Sequence, residues 1–436
     1  MNQSRLLFLV CSSLLVLPML MALVLAADPG RGQSSDPRPG AVASKTTHGL
    51  HAAAAKEEDT FDTYLKYLKV FSEVLGLIRD TYVDEPNTDA LMAGALEGVT
   101  DAMDPFTVYV PGPAVPGYVK ALAAGKSLSG LALLKERGAT LVMAVEKGSP
   151  ADAAGLKVGD LVAKLDGTST RTMPIWEMQE QLAGAPGTKI AIELIRLGAP
   201  VQASFELKPF TPPAVSLSEV ADRANGSAAP SASPAPAEGA AMLRIPSFTA
   251  ETAAQVRGAL GPRGTAGNGK LLIDLRGVSS GQPEEAYEVA KAFAAGELGA
   301  MMRRQQEVRG FESSDTPVWR GRLVVLVDRG TAGAAEVFAS VLRQRAGAEL
   351  VGERTLGYAG HQSTADLSTG SRLFFTDAFY TGPDKKPINE SLKPDLLVSE
   401  RNRTFLEKDV PMSELILRRG VHHLLQEPAE AAKKAA

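Results

Sequence analysis

Between residues 60 and 82 the apolar positions Phe61, Tyr64, Leu65, Leu68, Phe71, Val74, Leu75 and Ile78 recur at spacings of three and four. That rhythm predicts an amphipathic helix with a wide apolar face. A second helical stretch is expected over 88–103, ending at Asp104-Pro105, because a residue before proline is driven out of the helical region. The period then changes. Apolar runs at 140–145, 160–165 and 189–195 read as short strands, with a helix from Pro174 to Leu182 between them. From Ala241 onwards strands alternate with helices. The runs 270–275 and 322–328 are near-continuous apolar strands, and 284–295 and 334–345 are helical. This alternation argues an α/β domain with a buried sheet.

Two stretches have no period. Residues 28–59 are rich in Pro, Gly, Ser and Ala and read as a disordered tether. Residues 209–240, which include the Pro/Ala-rich run 227–238, read as a linker or surface loop. The expected organisation is then a helical region at 60–125, a β-rich module at 126–208, an α/β core at 241–400 and a C-terminal helix and tail at 401–436.

The N-terminus adds a location. Residues 6–26 are almost wholly apolar behind Arg5 and end in small residues at Ala26 and Ala27. This is the pattern of a secretory signal within 1–27, and the stretch is also long enough to serve as a membrane anchor. Either reading exports the bulk of the chain, to a periplasmic or cell-envelope site. The one cysteine, Cys11, lies inside that stretch, which excludes disulfides, cysteine-based zinc sites and a cysteine nucleophile from the exported part. None of the five histidines has metal-binding spacing: His48 and His51 fall in the tether, and His422-His423 read as a helix cap. No metal or organic cofactor is signalled. A net charge of −4 without a long basic run removes a nucleic-acid partner.

The stretch Lys147-Gly-Ser-Pro-Ala-Asp-Ala-Ala-Gly-Leu-Lys-Val-Gly-Asp160, completed by Leu165-Asp166-Gly167, resembles the hallmark of a PDZ domain. Ser149-Pro150 starts a short helix there, and Gly155 and Gly159 permit the turns back to a strand. The resemblance implies capture of a peptide C-terminus by strand addition, with its carboxylate held by loop amides. That loop is Ser129-Gly130-Leu131-Ala132, with Ala132 where a second glycine is usual. The side-chain pocket would be lined by Leu131, Leu133, Ile175, Met178 and Leu182, positions equally expected to be core.

A larger resemblance covers roughly residues 60–400. Asp101-Ala-Met-Asp-Pro-Phe106, Met242-Leu-Arg-Ile-Pro-Ser-Phe248, Asp274-Leu-Arg276, Thr376-Asp-Ala-Phe-Tyr-Thr-Gly-Pro383 and Pro394-Asp395 are similar to elements of the carboxyl-terminal processing (tail-specific) peptidases. The resemblance implies a multidomain α+β protein: a helical N-terminal segment, a PDZ domain, and a crotonase-like α/β core with a mixed sheet. It also implies a serine nucleophile with a lysine base whose pKa is lowered by desolvation. Here the family's serine position is Gly333, in Gly330-Thr-Ala-Gly-Ala-Ala-Glu336, and its lysine position, 25 residues on, is Tyr358. Gln362 falls four residues later, as in the family, and Glu336, Gly352, Thr355 and Gly357 hold the register without a gap. The oxyanion region, with Gly281 and Ala334, is altered too: Val278-Ser279-Ser280-Gly281 replaces an Asn-Pro-Gly-Gly element. Glycine carries no nucleophile, and a phenol, titrating near about 10, is a poor base at neutral pH.

The expected function is therefore that of a pseudoprotease that binds protein C-termini as scaffold or regulator. Its partners would be tails of envelope proteins, an active relative, or further copies of itself, with membrane anchoring through 6–26. The alternative is an active serine-type endopeptidase with displaced residues, for which Thr331, Ser340, Ser363 and His361 are the weak candidates. A third reading makes the PDZ module a packing element without a ligand.

Overall fold

The structure is a computed structural model, and it describes residues 46–211, 213–221, 236–264, 269–404, 407 and 409–426. The expected signal or anchor at 1–27 lies outside the described residues. Among those described, no helix is long and apolar enough to cross a membrane. Residues up to Pro86 form one unit and residues from Asn87 another.

In the first unit, helix α1 runs over Thr46–Thr81. It starts well inside the expected tether, so that expectation fails from residue 46 on. The Ala-rich segment 52–55 and its charged neighbours are good helix formers, and they extend the helix back from the apolar stripe. Most of the stripe is open: Phe61, Tyr64, Leu65 and Leu68 are exposed, while Leu75 and Ile78 are half-buried.

The second unit begins with α2 (Thr88–Asp101), whose first turn is capped by the Asn87 side chain. Strand β1 (Val108–Val110) and helix α3 (Val115–Ala124) follow. The region 60–125 is thus not purely helical. Asp104 accepts hydrogen bonds from the Phe106 and Thr107 amides, both at 2.8 Å, and this turn redirects the chain into β1.

The β-rich module comprises β2 (Leu131–Glu136), β3 (Ala139–Val145), α4 (Pro150–Ala153), β4 (Leu161–Leu165), β5 (Thr168–Ser169), α5 (Ile175–Leu182), β6 (Lys189–Arg196) and β7 (Ala199–Glu206). Its sheet has the order β2-β3-β4-β6-β7, so β2 is an edge strand that α5 approaches. Val162, Leu165, Met178, Ile190, Ile192 and Leu194 fill its core.

The core domain starts earlier than expected. β8 (Ser216–Ala221) and β9 (Pro236–Arg244) pair antiparallel inside the stretch read as linker. Then come α6 (Thr252–Gly264), β10 (Lys270–Asp274), α7 (Pro283–Ala290), β11 (Gly296–Arg303), β12 (Gln306–Ser313), β13 (Arg322–Val327), α8 (Ala334–Arg345), β14 (Glu349–Gly352), β15 (Gly360–Asp366), β16 (Arg372–Tyr380), β17 (Leu396–Leu397) and α9 (Met412–Leu425). One mixed sheet has the order β17-β14-β13-β10-β9-β8, parallel except at β8.

The apolar runs are continuous because both faces of this sheet are covered. Leu271, Ile273, Leu323 and Val325 join the cluster containing α7 and α8 residues, while the alternate Leu272, Val324 and Leu326 face α9. The C-terminal helix is therefore part of the core. A second, antiparallel sheet combines β1, β16, β11, β12 and β15. The chain is a multidomain α+β protein with mixed sheets.

Candidate functional site

The two positions expected to have lost their chemistry lie next to each other. Gly333 caps the start of α8, and its N–H donates to the Tyr358 carbonyl at 3.1 Å. An ideal Cβ on Gly333 would meet nothing nearer than that carbonyl oxygen, at 3.9 Å, so the position has room for a side chain. Its φ of 59° nevertheless favours glycine.

Glu336 fixes this arrangement. It is fully buried, and its two carboxylate oxygens gather donors from both loops. Oε2 accepts from the Gly333 N–H at 3.0 Å and the Tyr358 N–H at 2.9 Å. Oε1 accepts from the Gly357 N–H at 2.6 Å and from the Thr355 hydroxyl. Burial pushes the Glu336 carboxyl up to about 7, against the pull of these hydrogen bonds.

The Tyr358 side chain is a hydrogen-bonded wall. Its hydroxyl contacts Asp104 Oδ1 at 3.1 Å and the Thr376 hydroxyl, and Gln362 Nε2 donates to Thr376 Oγ1 at 2.9 Å. Its ring stacks on Phe106 with centroids 4.0 Å apart. Burial, with the Asp104 carboxylate adding to it, raises the Tyr358 hydroxyl well above its ordinary value. It is a neutral phenol at working pH, not a base.

Gly281, Gly333, Ala334, Tyr358 and Gln362 all line one cavity of about 360 Å³. The approach of Gly281 to Phe248, in the connection after β9, is tight: a Cβ there would fall 2.3 Å from the Phe248 carbonyl oxygen. An adjoining cavity of about 320 Å³ is lined by Leu131, Ala132, Leu133, Ile175 and Leu182. Phe106, Met143 and Gln362 line both. Lys126 is the single charged residue lining the second cavity. Helix α3 contributes Tyr118 and Ala121 to its wall, and through the shared residues the gap between β2 and α5 adjoins the cavity beside Gly333.

Comparison with known proteins agrees with this geometry. Residues 239–398 match the model of Peptidase family S41, and residues 141–196 match a PDZ domain. The chain carries a PDZ domain joined to a peptidase family S41 domain. It is 29% identical to the carboxyl-terminal-processing protease of Synechocystis over 77% of this chain and 78% of that one. It is 27% identical to the carboxy-terminal processing protease CtpA of Bacillus subtilis over 73% of this chain and 67% of that one. The photosystem II D1 C-terminal processing protease shares the fold, with a TM-score of 0.61 at 24% identity over 78% of this chain and 89% of that one.

Two expected groove residues fall elsewhere. Met178 is fully buried in the PDZ core, where its sulfur meets the Thr140 hydroxyl at 3.8 Å. Gly130 lies against the Ser149 side chain and does not line the cavity. On α5 Met178 neighbours both Ile175 and Leu182, yet it packs wholly into the core cluster while Gln179 lines the cavity. The loop amides are also engaged within the chain, Gly130 N–H with the Lys126 carbonyl at 2.8 Å and Leu131 N–H with Ser129 Oγ at 3.2 Å.

The candidate replacement nucleophiles have structural duties. Thr331 is fully buried, and its hydroxyl donates to the Leu275 carbonyl at 2.9 Å. Ser340 is buried on α8 and accepts from Gln344 Nε2 at 3.1 Å. His361 sits on β15 and pairs through Nδ1 with Asp377 Oδ1 at 2.7 Å. Burial opposes charge on Asp377, yet the His361 and Ser363 hydrogen bonds and the nearby Arg303 hold its carboxyl below the ordinary range.

Sequence reasoning missed a serine–lysine contact that joins a residue lining one cavity to a residue lining the other. Lys126 Nζ donates to Ser279 Oγ at 3.0 Å and to Glu146 Oε1 at 2.9 Å. Ser280 Oγ donates to the same Glu146 oxygen at 2.7 Å. The partners are up to 153 residues apart in sequence, so no local spacing announces them.

Proposed function

We propose that this protein is a non-cleaving receptor for protein C-termini, in which the S41 domain serves as scaffold or regulator. The observation that carries the reading is the clamped pair Gly333 and Tyr358. Glu336 holds both loops together, yet one position has no side chain and the other presents a neutral phenol. A nucleophile and a base are needed for acyl transfer, and neither stands at these positions. Tails would enter beside the free edge of β2, their apolar side chains taken by Leu131, Leu133, Ile175 and Leu182. We further propose that the chain is exported by residues 1–27 to the cell envelope, where tails of envelope proteins, an active relative or further copies of itself are its partners.

The test is fluorescence anisotropy of labelled peptides with apolar C-termini against the purified chain. Saturable binding that is lost when the peptide is amidated at its C-terminus supports the reading. Equal binding of free and amidated peptides, or none, refutes it. A second reading, an active peptidase with displaced residues, is favoured by one observation: the Ser279–Lys126 contact at the cavity. Against it, the same ammonium donates to Glu146 in an ion pair, and a donating ammonium has no lone pair to take a proton.

A further inference from the structure

The same two serines suggest something else. Ser279 and Ser280 stand where the family resemblance places Pro-Gly, and neither of those residues offers a side-chain hydroxyl. Their hydroxyls meet two residues of the PDZ side. Lys126 lies in the connection between α3 and β2, and Glu146 directly follows β3. Glu146 Oε1 accepts from both Lys126 Nζ and Ser280 Oγ, and Lys126 Nζ also donates to Ser279 Oγ, which closes a four-residue network. Both charged side chains are largely shielded, at 19% and 12% exposure, so their attraction is far less screened than at an open surface.

The backbone reinforces this contact. A Cβ added to Gly330 would lie 3.2 Å from both the Met143 carbonyl oxygen and Val158 Cγ2, so the PDZ module abuts the loop that leads to Gly333. The Glu146 amide in turn donates to the Gly130 carbonyl at 2.7 Å, tying the network to the start of the groove strand.

We propose that Ser279 and Ser280 form a polar latch with Lys126 and Glu146 that fixes the PDZ module against the S41 domain, so that the two fold and unfold as one cooperative body. The substitutions that remove an oxyanion site would then have made a rigid receptor out of two separable modules. The latch stands whether or not the groove takes tails.

The chain's two tryptophans stand on the two modules: Trp176 on α5 of the PDZ, where it also packs against the cluster of Val108, Tyr118 and Phe374, and Trp319 in the S41 core. Single-tryptophan versions, Trp319→Phe and Trp176→Phe, would be melted with and without Ser279→Ala/Ser280→Ala. We expect coincident transitions with the serines present. Without them the Trp176 transition falls below the Trp319 transition by roughly 5 °C or more. Faster deuterium exchange at 126–146 should accompany the split. Transitions that stay coincident with unchanged exchange in the double variant overturn the latch, as do transitions already separate in the unmodified background. Should the double variant not fold, Glu146→Gln, which keeps the shape and removes the charge, is expected to give a smaller split in the same direction. No split in that variant is equally fatal.

Discussion

The two cavities that share Phe106, Met143 and Gln362 have had different fates. The groove beside β2 keeps the kind of residues its task requires, since apolar side chains need only shape and burial to take an apolar tail. The centre beside Gly333 is framed by hydrogen bonds to Glu336 and presents a glycine and a tyrosine where the family resemblance places a serine and a lysine. Every donor around Glu336 comes from a backbone amide or from Thr355, and none depends on the side chains at 333 and 358. The frame is therefore held by groups other than the side chains at 333 and 358, and on the proposed reading it persists without the chemistry.

If Glu336 is what preserves the frame, its loss should have the largest effect. Glu336→Ala strands buried amide donors from both loops and should cost about 3 kcal/mol or more in denaturant unfolding. A cost below about 1 kcal/mol would show that the loops hold themselves. The same group sets a pH dependence. Its carboxyl is raised in the folded chain to about 7, so the folded state binds the proton more tightly than the unfolded one. This contribution is fully present below the ordinary glutamate range and is lost as pH rises through about 7. The stability of the native chain relative to Glu336→Ala should accordingly fall, by an amount on the order of 2 kcal/mol, between pH 5 and pH 8. A difference that is flat or rises with pH would contradict the burial argument.

The groove offers a smaller effect. Ile175→Asp places a charge in the wall of the cavity at a half-buried position and should raise the Kd for an apolar tail by at least about tenfold. Met178, by contrast, is core, and Met178→Leu should leave affinity within about twofold. If the two substitutions act alike, groove and core have been assigned wrongly.

Much of this was legible in the sequence. The strands of the parallel sheet, α5, α8 and the PDZ turn announced themselves, because burial on two faces or one imposes a period on the residues. The register from Glu336 to Gln362 also placed Gly333 and Tyr358 in one site before any coordinates. What failed has physical reasons. Strand β8 lies in a stretch that composition marked as linker, since pairing with β9 outweighs local propensity. Met178 was expected in the pocket from the PDZ resemblance, which does not separate a pocket position from the core it adjoins. The Lys126–Glu146–Ser279–Ser280 network and the Asp104–Tyr358 contact join residues far apart in the chain, and Ser279 and Ser280 had been read only as losses.

The central claim is that the clamped centre does not cleave, and peptidase activity tests it most directly. The native chain would be assayed on an unfolded protein with an apolar C-terminus, beside Gly333→Ser/Tyr358→Lys and Ser279→Ala. The account predicts a silent native chain and measurable cleavage by the double variant, since a Cβ at position 333 would meet nothing nearer than 3.9 Å. Cleavage by the native chain that disappears in Ser279→Ala would contradict it and make Ser279 and Lys126 a working dyad.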